Sequence, residues 1–309
     1  MNKKQFWIYL GCVAAAVVVF LSVGEYLVRQ VPNTHKFKHE WMKKHHNEVE
    51  ILTLGGSHSW EGIKPEILGN HAFSLANSSQ MLQYDYFLFN NYDFPNLKEV
   101  VITISFPTLF ADDYENDERR WFNVIYYKIY MDCPYHSDFS KYNFEFSNMK
   151  TFQDKLRQFF RRTELNSDEY GCSVLNTVEN KDTIRWNNGS EALEAADRHN
   201  HIGDFTHIDT NLVRLQKITD YCTNHGVQLV LVTTPCWNLY VDNLDSVRLK
   251  KMQEIMQDYC KRNPNVLYFN YLTDNRFVAD DFFNSDHLST IGAEKFTRIL
   301  KADIEKNCK

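Results

Sequence analysis

From Glu48 onward, apolar runs of strand length alternate with amphipathic stretches, a pattern that predicts a parallel sheet covered by helices on both faces. Glu50 to Leu54 (EILTL) reads as a first strand and runs into Gly55-Gly56-Ser57, and Ala72 to Ala76 reads as a short second strand. A helix is expected from Ser79 to Asn90, followed by a third strand, Glu99 to Ser105 (EVVITIS), stopped by Pro107. The alternation then lapses and resumes with Leu212, Leu215, Ile218 and Cys222 at helical spacing, ending at His225-Gly226. Val227 to Val232 (VQLVLV) and Val266 to Phe269 complete five strands, with a helix from about Leu244 to Cys260 between them. A terminal helix, Thr290 to Glu305, places Ile291, Phe296, Ile299, Leu300 and Ile304 on its apolar side. The expected fold class is therefore α/β: a five-stranded parallel sheet flanked by helices, a flavodoxin-like three-layer sandwich built from two separated halves.

Two regions depart from this alternation. Phe6 to Gly24 (FWIYLGCVAAAVVVFLSVG) carries no charge in nineteen residues. As a helix it would extend roughly 28 Å, close to the hydrocarbon thickness of a bilayer. Lys3 and Lys4 precede it, so the amino end is expected to stay cytoplasmic and the rest to be translocated. Ser22-Val23-Gly24 would suit signal-peptide cleavage, but the apolar run exceeds a usual signal core, which favours an anchor. The second region, residues 107–205, is an insertion that is aromatic in its first half and polar in its second, expected as a helical cap or lid over a cleft. The expected organisation is an N-terminal transmembrane anchor over 1–30, a polar juxtamembrane linker over 31–47, and one domain over 48–309 that contains the insertion.

Composition narrows the function classes. A net charge of −6, with no basic cluster interleaved with aromatics, argues against nucleic acid as a partner. Seven cysteines without a CxxC pair support neither a zinc ribbon nor a redox motif. Cys222 and Cys260 read equally well as small apolar residues on helix faces. Asp197, His199, His201, Asp204, His207 and Asp209 invite a metal hypothesis, but their spacing fits no helical zinc pattern, so no metal or cofactor is assigned.

In an open α/β sheet, ligands collect beyond the carboxyl ends of the strands. Ser57 follows the first strand, where paired glycines allow a tight turn and a helix start offers positive partial charge to an oxyanion. A serine needs a base to become a nucleophile. His287, in Asn284-Ser285-Asp286-His287-Leu288-Ser289-Thr290, lies between the last strand and the terminal helix and can converge on the same edge. Taken singly, Ser57 reads also as a helix cap, and Asp286 to Ser289 as a capping turn. Trp237 and Tyr240, after the fourth strand, are candidate substrate contacts, with ordinary packing as the equal alternative.

ILTLGGSHSWEG near the start and NSDHLSTIGA before the last helix together resemble the SGNH, or GDSL-like, hydrolase and acyltransferase superfamily, in its membrane-anchored secreted branch. The resemblance covers roughly residues 48–106 and 211–305 and leaves the insertion uncovered. It implies Ser57 as nucleophile and His287 as general base, with Gly56 and Asn77 as oxyanion candidates. It implies serine-dependent acyl transfer to water or a sugar hydroxyl on an extracytoplasmic carbohydrate or envelope polymer. Expected partners are a small-molecule or glycan acyl substrate, the membrane through the N-terminal helix, and a membrane-bound acyl-donor protein. Three positions depart from the family. Gly56 stands where GDSL enzymes usually carry Asp, and Asn284 stands where the acid that orients the histidine usually sits. Ser105-Phe106-Pro107 replaces Gly-x-Asn-Asp. Asp286 could substitute for the missing acid, although adjacent side chains rarely meet in suitable geometry. The alternative reading is an accessory protein of the same fold that binds a glycan or protein and has lost the chemistry.

Overall fold

A computed structural model describes residues 2–112, 121–134, 143–177, 186 and 188–307, without the side chains of 121–123. The chain divides into two compact units, Met1–His39 with Tyr114–Leu165, and Glu40–Asp113 with Asn166–Lys309.

The larger unit holds a five-stranded parallel sheet: β1 (Ile51–Leu54), β2 (Ala72–Ser74), β3 (Glu99–Thr103), β4 (Gln228–Thr233) and β5 (Val266–Asn270), in the order β2-β1-β3-β4-β5. The fold is thus the expected α/β sandwich in flavodoxin-like order, and the strand order reverses at β1 and β3, which opens a crevice outside their carboxyl ends. Every expected strand is present, each within two residues of its expected ends. β1, β3 and β4 are buried along nearly their whole length, which is why they read as continuous apolar runs and not as alternating ones.

The helix Thr290–Asn307 closes the sheet on one side, with Ala293, Phe296, Leu300 and Ile304 packed in one cluster with Val101, Val230 and Val232. Fully burying side chains such as Phe296 and Leu300 contributes about 1.5–3 kcal/mol each. Ile291, expected on this face, is 59% exposed. It precedes Leu300 by nine residues, about two and a half helical turns, so it points away from the stripe that Leu300 belongs to. Thr297 takes the vacant position on the buried face and accepts from Lys64 N at 2.9 Å.

The segment 31–47, expected as a polar linker, is helical over Thr34–His45, and Trp41 stacks on Phe73 of β2 with ring centroids 3.8 Å apart. Its lysines and histidines had suggested a solvated tether, but the indole and Met42 supply apolar anchors that the polar composition concealed.

The smaller unit begins with the helix Lys3–Val28, long and apolar enough to cross a membrane, with a mean hydropathy of 2.4 in its most apolar window. Its last turn is tied to the aromatic part of the insertion. Gly24 lies so close to Phe152 of the helix Met149–Arg161 that a Cβ there would meet the ring at 2.5 Å. Glu25 pairs with Arg29 and accepts from the backbone N–H groups of Glu145 and Phe146 at 3.1 and 3.2 Å. Residues 166–205, the other part of the insertion, belong to the sheet-bearing unit.

Candidate active site

The turn after β1 is built around Gly55, whose φ of +121° suits only glycine, and a Cβ there would meet Thr103 Oγ1 at 2.1 Å. Gly55 N donates to Asp85 Oδ1 at 2.7 Å, and Gln80 Nε2 donates to the same oxygen at 2.6 Å. Burial pushes Asp85 up to about 7, against the pull of these two donors. Gly56 caps the short helix Ser57–Trp60, so Ser57 is presented at its first position.

The other half comes from the loop before the terminal helix. Gly292 packs so tightly on the Asp281 carbonyl that a Cβ would meet it at 1.8 Å, and Ser289 N donates to that carbonyl at 2.9 Å. Trp237 N donates to Ser285 O at 2.8 Å, and Ser285 N donates to Glu191 Oε2 at 2.8 Å. Within this frame Asn284 Oδ1 accepts from the backbone of His287 at 2.8 Å, a local turn that aims the imidazole at Ser57.

His287 Nε2 lies 2.7 Å from Ser57 Oγ. Its Nδ1 lies 3.0 Å from Asn284 Oδ1 in hydrogen-bonding geometry and 3.1 Å from Asp286 Oδ1. Among the described residues no donor meets either Asp286 oxygen in hydrogen-bonding geometry, although the residue is fully buried. The two candidate orienting groups therefore divide the task. With Nδ1–H on Asn284, the neutral imidazole presents Nε2 as acceptor to the serine hydroxyl, while Asp286 supplies negative charge beside the ring. Adjacent residues do meet here, because the turn held by Asn284 folds the Asp286 carboxylate back against its neighbour's imidazole.

Three further groups surround the pair: Glu61, which the sequence did not single out, His58, which read as a solvent or cleft residue and not a second base, and His199, one of a series read as possible cleft lining. Glu61 Oε2 stands 3.7 Å from His287 Nε2 and accepts from Asn176 Nδ2 at 2.5 Å. Glu61 lies one helical turn beyond Ser57, its N–H donating to the Ser57 carbonyl, a spacing that could have flagged it. His199 Nε2 stands 3.8 Å from Asp286 Oδ2, and its Nδ1 lies 2.7 Å from Tyr240 Oη. His58 is buried with its ring 5.0 Å from that of His287 and 6.4 Å from that of His199. Only His199 carried a signal, as part of the His/Asp series from 197 to 209, and the structure scatters that series. His201 turns to the Asp197 backbone and Asp204 caps Thr206.

The charges follow from this crowding. Burial disfavours the His287 imidazolium, but the Asp286 and Glu61 carboxylates outweigh it and raise the group to about 9. Burial would raise Asp286, but the imidazoles of His287, His199 and His58 hold it well below the usual carboxylate range. His58 is pushed down to about 3 by burial and by the charge of His287, so it is neutral at physiological pH.

Asn77 is 1% exposed and its Nδ2 has no hydrogen-bond partner among the described residues, while its backbone N–H donates to Gly55 O at 3.2 Å. Tyr240 does not offer a substrate contact: it is 1% exposed within a cluster with Phe106, Cys236, Leu244 and Leu272. Trp237 packs against Trp186 and Phe282, with centroids at 5.3 and 5.7 Å, so part of its surface is spent on packing.

No family model matches the chain, and no curated protein matches it. Among solved structures, the chain is similar to one described as a lipolytic protein of the G-D-S-L family from Desulfitobacterium hafniense DCB-2, with 10% identity and a TM-score of 0.36. That likeness covers 82% of this chain and 98% of the other.

Proposed function

We propose that this chain is a serine-dependent acyl-transfer enzyme, an esterase or O-acyltransferase, held to a membrane by its N-terminal helix and acting on an extracytoplasmic carbohydrate or envelope polymer. The observation that carries the reading is the 2.7 Å contact between Ser57 Oγ and His287 Nε2, formed by residues 230 positions apart. Nucleophile and base at hydrogen-bond distance, with the base oriented through its second nitrogen, is the arrangement that serine acylation requires.

Neutral His287 accepts the Ser57 proton at Nε2 as Ser57 Oγ bonds to an ester carbonyl carbon. The oxyanion is taken by the Asn77 side-chain amide and the Ser57 backbone N–H at the start of the short helix Ser57–Trp60. The tetrahedral centre collapses, the C–O bond to the leaving alcohol breaks, and that oxygen takes the proton from His287. Water or a sugar hydroxyl then gives its proton to His287 and bonds to the acyl carbon; the acyl–Oγ bond breaks and Ser57 Oγ takes the proton back from His287. The Lys3 and Lys4 flank supports an outward-facing C-terminal domain, and a polymer acceptor rests on the resemblance and that placement.

The test is labelling of the full-length protein in detergent with a fluorophosphonate probe. The expected result is labelling of the wild type that Ser57→Ala abolishes and His287→Ala reduces at least 100-fold. A folded wild type that stays unlabelled at pH 7 and pH 9 overturns the enzyme reading and leaves a fold that binds a glycan or protein partner.

A further inference from the structure

The clustering of His58, Asp286 and His287 points to a second use of this site: we propose that it binds a zinc-class divalent cation, with those three side chains as ligands. Each offers one donor atom, and the three atoms lie within 4.8 Å of one another. Ligand atoms about 2.0–2.2 Å from a tetrahedral zinc stand about 3.3–3.5 Å apart, so small side-chain rotations close the set.

Two independent features show that these groups are underused by the protein itself. Asp286 is fully buried with neither oxygen accepting a hydrogen bond, whereas buried carboxylates are ordinarily surrounded by donors. His58 is 7% exposed and its ring lies 5.0 Å from that of His287 and 6.4 Å from that of His199, facing the same buried carboxylate. A bound cation satisfies both at once. Two imidazoles and one carboxylate suit zinc and its neighbours in the first transition row. Calcium and magnesium demand mostly oxygen ligands and are excluded by the same donor set. The His199 and Tyr240 pair stands behind Asp286 and holds the far side of the carboxylate, as groups behind metal ligands commonly do.

Occupancy has a consequence for the proposed chemistry, and this part rests on that reading. A metal on His287 Nε2 takes the lone pair that receives the Ser57 proton, and a metal on Nδ1 forces the ring proton onto Nε2, which then has no lone pair to receive it. Either way the base is disabled, so the cation is an inhibitor and the site a reversible off-switch.

The experiment is titration of the full-length, untagged, chelator-treated protein with Co2+ followed by visible absorption, then competition with Zn2+, Ca2+ and Mg2+. The expected result is one equivalent of cobalt with a nitrogen-ligand d–d spectrum, displaced by zinc and unaffected by calcium or magnesium. Ser57→Ala should retain it, and His58→Gln should weaken it at least tenfold. Asp286→Asn serves as the second variant should His58→Gln fail to fold. Spectral binding unchanged in both variants, or no binding in the wild type, overturns the site. Binding is read without a reactive serine, so an unlabelled wild type would defeat the enzyme reading and leave this one standing. Where labelling does occur, one equivalent of zinc should suppress it at least tenfold and chelator should restore it. Full-rate labelling of the zinc-loaded protein would overturn the inhibitory role alone.

Discussion

Two buried carboxylates, one in each unit, are treated in opposite ways. Glu145 in the smaller unit is 1% exposed, accepts from Tyr130 Oη at 2.7 Å and is paired with Lys155 Nζ. Asp286 in the sheet-bearing unit is fully buried, accepts no hydrogen bond and is faced by imidazoles at 3.1 and 3.8 Å. A carboxylate saturated by donors is a structural tie, because removing any partner leaves a desolvated charge behind. A carboxylate left without hydrogen-bond donors, beside a base that touches a serine, polarises its neighbour. The contrast separates two meanings of a buried charge that burial alone does not distinguish.

The comparison is broken most directly by Asp286→Asn. Phosphonate labelling should fall about 10³-fold, since a neutral amide does not stabilise the imidazolium. Stability should fall at low pH, where the charge that holds the His287 proton is lost, and should change little above about pH 9, where His287 is neutral in both proteins. Labelling kinetics beside a urea unfolding curve settle the matter. Loss of stability with full labelling per folded molecule would make Asp286 a structural tie like Glu145.

Lys155→Met should do the reverse. It leaves Glu145 buried without its cation, and stripping one partner from a buried pair costs about 3–5 kcal/mol. The unfolding midpoint should drop while the labelling rate per folded molecule holds. An unchanged midpoint would show that the Tyr130 hydroxyl alone satisfies Glu145 and that the two carboxylates are less different than they look.

Asn77→Ala sharpens the contrast from the side of the donors. Removing one oxyanion-type donor costs about 10²–10³ in rate. Here it should cost no stability, since the amide hydrogens it deletes have no partner. A labelling rate within threefold of wild type would remove Asn77 from the oxyanion site.

How much of this could be read in advance depends on range along the chain. The strands and the Ser57 and His287 positions were legible because strand ends in a parallel sheet converge on one edge, and apolar runs locate strand ends well. The helical character of Thr34–His45 was hidden, because the burial that supports it comes from a distant strand residue, Phe73. Glu61, His58 and His199 were missed as site residues for a related reason. Their roles come from side-chain direction and from the insertion's path, neither of which periodicity records. Tyr240, left open between substrate contact and packing, packs, because a position after a strand end can face either the crevice or the layer beneath it. Its hydroxyl faces His199 in that layer.

The smallest effect concerns Glu61, the carboxylate that does keep a donor, from Asn176. His287 is raised to about 9 in the folded protein from the 6.5 of a free imidazole, so its contribution to stability is complete below about pH 6.5 and is lost as pH rises through about 9. The base works only when neutral, so labelling should climb with pH across the same interval, stability and reactivity moving in opposite directions. Glu61 at 3.7 Å from Nε2 is one of the two charges responsible, behind Asp286. Even at the dielectric of water, a unit charge at that distance contributes about 1 kcal/mol to holding the proton. Glu61→Gln keeps an oxygen for Asn176 and removes that charge. It should move the midpoint of the labelling profile to lower pH and raise the rate at pH 7 about fivefold, with no change at pH 10. Asp286→Asn also lowers the midpoint but loses rate at every pH, because it removes a group the transition state needs as well as one that holds the proton. Identical profiles for the two variants would mean that both carboxylates act only as charges, and the distinction between a tie and a poised acid would then rest on Glu145 alone.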